Sequence, residues 1–329
     1  MLGIAVVAAT FAFVLPRIAD YGEVWGVVEG LSWQQIVALL LATLLNLATF
    51  APPWMAALPQ LGFRRAFVVT QASTASTYVT PGGAAVGVAL SYAMLRGWGL
   101  PAHSVALAAA LTGIWNQFAL LGFPAIAFAL LTLQQEQNAA LQTVAVVGFA
   151  VFVVAAVGFG IGLSTPQLAR YVGNAAARLV NRSLRILRRE PVGWTGDSFV
   201  RFRNEAVGLL RRRWHVLTLA TLAGQLSVFV VFFVSLRVLG VSASEVSGVE
   251  AFAAWSLVRL LGSLPITPGG LGVVEVGLVA ALVGFGGANA EVVAAVLIYR
   301  FLTIVPTLVL GLLAGATWQR LKPVRTRPI

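Results

Sequence analysis

Stretches of about 20 apolar residues, nearly free of charge and separated by short polar loops, constrain this chain more than any other feature. A helix of that length is roughly 30 Å long, the thickness of a bilayer's hydrocarbon core. Six or more such stretches follow one another within 329 residues. Hydrophobic residues make up 59% of the sequence and charged ones only 10%, more apolar surface than a water-soluble fold can bury. The expected fold class is therefore an all-α polytopic membrane protein with no soluble domain of its own. Cysteine is absent, so disulfides, thiol nucleophiles and thiolate metal sites are excluded. His103 and His215 stand far apart and read as interfacial side chains at helix ends. No cofactor is expected.

The net charge of +11 would suggest nucleic acid in a soluble protein. Its placement argues otherwise. Half of the 22 basic residues fall between 165 and 214, wedged between two apolar stretches. By the positive-inside rule this is a cytoplasmic segment facing anionic lipid headgroups, and nucleic acid is not an expected partner. Thr165-Pro166 is an N-cap followed by proline at the first helical position. Leu168, Val172, Ala175, Leu179 and Ile186 then recur at helical spacing, with arginines on the other faces. This predicts an amphipathic surface helix, against the plainer reading of a solvated charge run. Pro191 ends it, and 192–213 reads as a second surface helix.

Full spans are expected at about 2–16, 33–58, 104–133, 140–163, 215–239 and 292–318. The first lacks a basic leader and a small-residue cleavage site, so it reads as a short span rather than a signal peptide, and a start further upstream is an open alternative. With the basic segment and tail inside, Asp20, Glu23, Glu29, Glu136, Glu245, Glu250 and Glu291 fall outside. The expected organisation is an N-terminal membrane half (1–164), a basic linker (165–214), a C-terminal membrane half (215–319) and a basic tail (320–329). Both termini are then cytoplasmic, in a multi-pass protein of the cytoplasmic membrane.

Two further apolar segments are broken in the middle. Thr80-Pro81-Gly82-Gly83 interrupts the first and Thr267-Pro268-Gly269-Gly270 the second. Each arm is 12–16 residues long, roughly 18–24 Å of helix, which is short for a full crossing. Re-entrant hairpins follow, although charge placement is equally compatible with arms that span. The two units have opposite orientation, the layout of an inverted repeat, in which paired Gly/Pro-broken segments point to the substrate site. Proline withholds its amide, and the glycines let the backbone turn and a ligand come close. A helix starting after them turns free N–H groups inward, a ready anion site. The plainer reading is a tight turn that lets helices pack.

The second copy continues through Leu271 and Gly272 to Glu275, the only acid placed within the membrane. An ionisable group there costs a few kcal/mol unless paired, so Arg259 or Arg300 is its expected partner. Either a structural ion pair or a pocket for a charged headgroup fits, with arginine holding phosphate. The first half has Val88 where alignment puts Glu275, and offers Asn116 at roughly the depth of Arg300. The candidate substrate-binding set is Thr80, Pro81, Gly82, Gly83, Asn116, Arg259, Thr267, Pro268, Gly269, Gly270, Gly272, Glu275 and Arg300.

The run Pro268-Gly-Gly-Leu-Gly-x-x-Glu275, with Arg259 upstream and Tyr299-Arg300 downstream, resembles the lysylphosphatidylglycerol synthase transmembrane, or flippase-like, family. Thr80–Gly83 followed by Leu95-Arg96-Gly97-Trp98-Gly99 is similar to its first-half motif in actinobacterial members, without the acid many relatives carry. The resemblance covers about residues 1–320. In larger relatives this region moves aminoacylated phospholipids across the bilayer and a separate domain makes them. Other members are linked to polyprenyl-linked sugars. The resemblance thus implies flippase-like translocation of a phospholipid or lipid-linked headgroup, with membrane lipids as partners; the sequence shows no catalytic His/Asp/Glu cluster, so enzymatic activity is not expected. The alternatives are a non-transporting scaffold for a separate lipid-modifying enzyme, or a membrane-embedded transferase.

Overall fold

The computed structural model describes residues 29–80, 83–133, 139–186, 193, 195–263 and 267–321. The expected first span, Asp20, Glu23, Pro81, Gly82, Glu136, Pro191 and the tail beyond 321 lie outside them. Among the described residues the architecture is helical. α1 (Trp33–Thr49) opens on a capping box, in which the Ser32 amide donates to Gln35 Oε1 at 2.8 Å. The short α2 (Pro52–Ala57) continues it. α3 (Phe63–Val79) and α4 (Gly83–Gly97) flank the first break. α5 (Ala102–Leu133), α6 (Ala139–Ser164), α7 (Pro166–Ile186) and α8 (Gly196–Val238) follow. α9 (Gly248–Gly262) and α10 (Val273–Phe285) flank the second break, and α11 (Asn289–Thr317) closes the bundle.

Five helical stretches are long and apolar enough to cross a membrane: Trp33–Ala57, Ala102–Leu133, Val146–Ser164, Gly196–Val238 and Asn289–Arg320. They coincide with five of the six expected full spans. The arms of the broken segments have 17, 15, 15 and 13 residues, below the roughly 20 that a crossing needs. Each pair folds back as a hairpin, α3 on α4 and α9 on α10. Glycines allow the first to close. A methyl group on Gly83 would strike the backbone of Thr77, and one on Gly87 the carbonyl of Ser73. Small residues one turn apart are how membrane helices bring backbones together when water supplies no driving force.

The two hairpins are exchanged between the halves. α3 lies along α11, and α9 lies along α5. The first arm of each hairpin thus packs on the helix that follows the other hairpin, a reciprocal arrangement of the two broken segments. At the α3–α11 crossing a methyl on Gly311 would collide with Ala75 and the Gln71 carbonyl. Outward faces are apolar: Leu40, Leu41, Leu44 and Leu45 on α1, and Val146, Val147, Val154 and Ile161 on α6.

The basic linker departs from expectation in two ways. The segment 196–213 is not a separate surface helix but the first half of the 43-residue α8. The change at 214 is one of charge, and no proline or positive-φ glycine interrupts the backbone there. Secondly, the inner face of α7 consists of Ala169, Gly173 and Ala177, with Gly173 pressed against Phe199 of α8. Tyr171, Val172 and Leu179 therefore stay exposed, beside Arg178, Arg182 and Arg185. Arg170 pairs with Asp197 at 2.9 Å, and Asn174 Oδ1 accepts the Gly196 amide at 2.9 Å. Arg203 caps α6, donating to the Leu163 and Ser164 carbonyls at 3.0 and 2.9 Å.

One helix ending occurs twice. After α4, Arg96 donates to the Leu100 carbonyl at 2.6 Å across Gly99 (φ 85°). After α8, Arg237 donates to the Val241 carbonyl at 2.7 Å across Gly240 (φ 94°).

Candidate functional site

A cavity of about 620 Å³ lies where α1, α3, α4, α5, α8, α9 and α11 converge, a size usual for small-ligand sites. Its wall is polar for a membrane protein. Thr70, Thr77, Thr112, Thr303 and Thr307 line it, with Asn46, Gln71, Asn116, Gln117, Gln225, Arg259 and Arg300.

The second break builds one side. Gly269, Gly270 and Gly272 have φ of 62°, 69° and 82°, a region open to glycine and costly for other residues. The turn sets Glu275 at the third position of α10, where Oε2 accepts the Gly272 amide at 2.7 Å. Oε1 accepts from Arg300 Nε, and Arg300 Nη2 donates to the Gly269 carbonyl at 3.1 Å. Glu275 and Arg300 are both buried. The helix start expected to bind an external anion therefore already holds one, the Glu275 carboxylate, because the acid lies one turn inside the helix and reaches back. Of the two expected partners, Arg300 takes Glu275.

Arg259 is arranged differently. Its Nη2 donates to Gln225 Oε1 at 2.8 Å, and Gln225 Nε2 donates to Asn116 Oδ1. Its guanidinium lies 5.2 Å from the Trp255 ring centre, a cation–π distance. Among the described residues no carboxylate pairs with it. With Glu275 neutralised by Arg300, Arg259 gives the cavity an uncompensated positive charge.

The facing walls are rich in acceptors. Thr70, Thr77, Ser91, Thr112 and Thr303 each donate their hydroxyl proton to a carbonyl of their own helix at 2.7–2.9 Å. Their remaining capacity is to accept. Thr221 Oγ1 and Gln71 Oε1 are buried with no partner, and both residues line the cavity. Orphaned polar atoms are costly unless something fills the space. The site thus offers a cationic donor on α9 and acceptors on α3, α5, α8 and α11.

Of the residues predicted from sequence, Arg259, Arg300 and Asn116 border the cavity. Gly269, Gly272 and Glu275 sit behind Arg300 and hold it. Thr267 and Pro268 form the turn with Gly270, whose amide donates to the Thr267 carbonyl at 3.2 Å. Thr80 ends α3, donating to Ser76, and Gly83 serves the α3–α4 contact. Sequence reading missed Gln71, Thr221, Gln225 and Tyr78. The signal was present: the hydroxyl-rich run 73–80 and a lone glutamine within the apolar part of α8 are polar groups in membrane helices. Tyr78 joins the halves, since any side chain at Gly269 would strike its ring.

Bilayer-length helices, two exchanged broken hairpins and a polar cavity between them define a polytopic helical membrane protein. The chain belongs to the family described as the lysylphosphatidylglycerol synthase TM region, whose model matches residues 1–311. That membership ties it to membrane lipids. A comparison with curated proteins found no match.

Proposed function

We propose that this protein moves a phospholipid or lipid-linked headgroup across the cytoplasmic membrane, with the headgroup held in the polar cavity. The uncompensated charge of Arg259 carries this reading. A phosphate is the natural partner of a guanidinium, and the acceptor walls suit the hydroxyl or ammonium donors of a headgroup. Arg300, Glu275 and Gly269 act as the fixed side of the site. In this reading the protein is a carrier and not an enzyme. The basic face of α7 rests on anionic headgroups of the cytoplasmic leaflet, with both termini on that side.

The test is translocation of fluorescently labelled phosphatidylglycerol in vesicles containing the reconstituted protein. Wild type accelerates it and Arg259→Gln does not. Equal rates for wild type, Arg259→Gln and empty vesicles would overturn the proposal. The scaffold reading draws on the exposed Tyr171, Val172 and Leu179 of α7. It gains if the protein is inert in vesicles yet retains a lipid-modifying enzyme through that face.

A further inference from the structure

A second cavity, about 880 Å³ in volume and almost wholly apolar, lies between α4, α5 and α6. It shares Val88, Ala109, Gly113 and Gln117 with the polar cavity. Small side chains leave it open: Ala85 and Ala89 on α4, and Ala106, Ala110 and Gly113 on α5. At the α3–α4 and α3–α11 seams, glycines bring backbones into contact. Here a methyl group on Gly113 would meet nothing within 4 Å. The same kind of residue that closes a seam elsewhere lines open space at this one.

Its dimensions and surroundings identify the occupant. The lining on α5 runs from Ala106 to Leu121, about 22 Å of helix at 1.5 Å per residue. One leaflet of hydrocarbon is about 15 Å deep, so an acyl chain fits lengthwise. α6, which closes the groove with Ala155 and Phe159, is the least buried of the five spanning helices, and Val86 and Val88 of α4 are exposed. Gln117 stands where the apolar lining meets the polar one.

We infer that the groove between α4, α5 and α6 is the chain-binding subsite, and that the substrate is an anionic lipid entering sideways, its hydrocarbon in the groove and its phosphate at Arg259. This rests on the carrier reading above. The consequence is that the chains never leave an apolar surrounding, while the headgroup passes through the polar cavity past the unpartnered Gln71 and Thr221 oxygens. A water-soluble headgroup without chains is then a poor substrate even if it fits the cavity.

The experiment uses the full chain in phosphatidylcholine vesicles doped with phosphatidylglycerol bearing a diazirine on one acyl chain. Irradiation and peptide mapping should place the label on 85–92, 106–121 and 155–159, saturably. Ala110→Phe, which plugs the groove and lies outside the polar cavity's wall, should lose that label and long-chain translocation. It should retain binding of glycerol 3-phosphate, read by calorimetry. Gly113→Leu, at the junction of the two cavities and with space for its side chain, is the second plug. Label spread evenly over the outward faces and indifferent to both plugs means ordinary bilayer contact and overturns the inference. So does cross-linking that joins two copies of the chain through the groove. If saturable, plug-sensitive label is found but no lipid moves, the subsite stands and the carrier reading falls.

Discussion

Glutamine at position 275 keeps the shape of the side chain and removes its charge. In the native protein one carboxylate oxygen takes the Gly272 amide and the other the Arg300 guanidinium. The single amide oxygen of the substituted side chain can serve only one of them well, and its NH2 would face a donor. Removing one partner of a buried ion pair costs about 3–5 kcal/mol, chiefly because the other charge is stranded. Arg300 keeps its bond to the Gly269 carbonyl, which places the expected loss for Glu275→Gln near the lower end, about 3 kcal/mol. Arg300→Met should cost a similar amount by stranding Glu275. The double variant has no stranded charge, so its loss should fall short of the sum by about 2 kcal/mol or more, within the range found for residues in direct contact. Denaturant unfolding in mixed micelles, followed by tryptophan fluorescence, measures all four corners of the cycle. A Glu275→Gln variant as stable as wild type, or additive single losses, would refute the assignment of Glu275 as a structural anion. Translocation by a stable enough Glu275→Gln protein should respond to an imposed pH gradient as wild type does, since both carboxylate oxygens are already engaged and neither is free to carry a proton.

Arg259→Gln should cost about 2 kcal/mol of stability, one hydrogen bond and one ring contact worth about 1 kcal/mol each, while glycerol 3-phosphate binding disappears in calorimetry. Gly269→Ala places a methyl at φ 62° and against the Tyr78 ring; it should unfold earlier, by about 1 kcal/mol for the backbone alone, with partial recovery in Gly269→Ala/Tyr78→Ala. Glu245, partly exposed, is held below the usual carboxylate range by the Ser242 amide and then its hydroxyl. A lowered folded value means the contribution is present above the ordinary carboxylate pKa and lost as pH falls through the lowered one. The protection factor of the Ser242 amide, its exchange relative to the intrinsic rate at each pH, should therefore fall in acid, and Glu245→Gln should flatten that dependence.

Spans were legible in the sequence because a bilayer demands one length and one kind of residue. The breaks were legible too, since proline and paired glycines have few uses inside an apolar run. What periodicity could not separate was a surface helix from the start of a longer one. Residues 196–213 carry charges on every face, and it is the packing of Gly173 against Phe199, with the Arg170–Asp197 and Asn174–Gly196 contacts, that shows α7 and α8 form a hairpin. Position 275 was legible as a buried acid needing an arginine, but which arginine depended on the backbone turn at Gly269–Gly272. The cavity wall was the least legible part. Its hydroxyls come from α3, α4, α5, α8 and α11, and most of them alone look like a threonine bonded to its own backbone.

The exchange of hairpins has a consequence for biogenesis. α3 ends at Val79, and the helix it lies against does not begin until Asn289. During synthesis the first hairpin must therefore wait, with the Gly311 contact surface of α3 facing lipid or an insertase, until nearly the whole chain has been made. Neither half can complete its own packing, so a fragment ending before α9 should be unstable in the membrane. Two fragments divided between α7 and α8 and produced together should find each other, because each contains the missing wall of its counterpart.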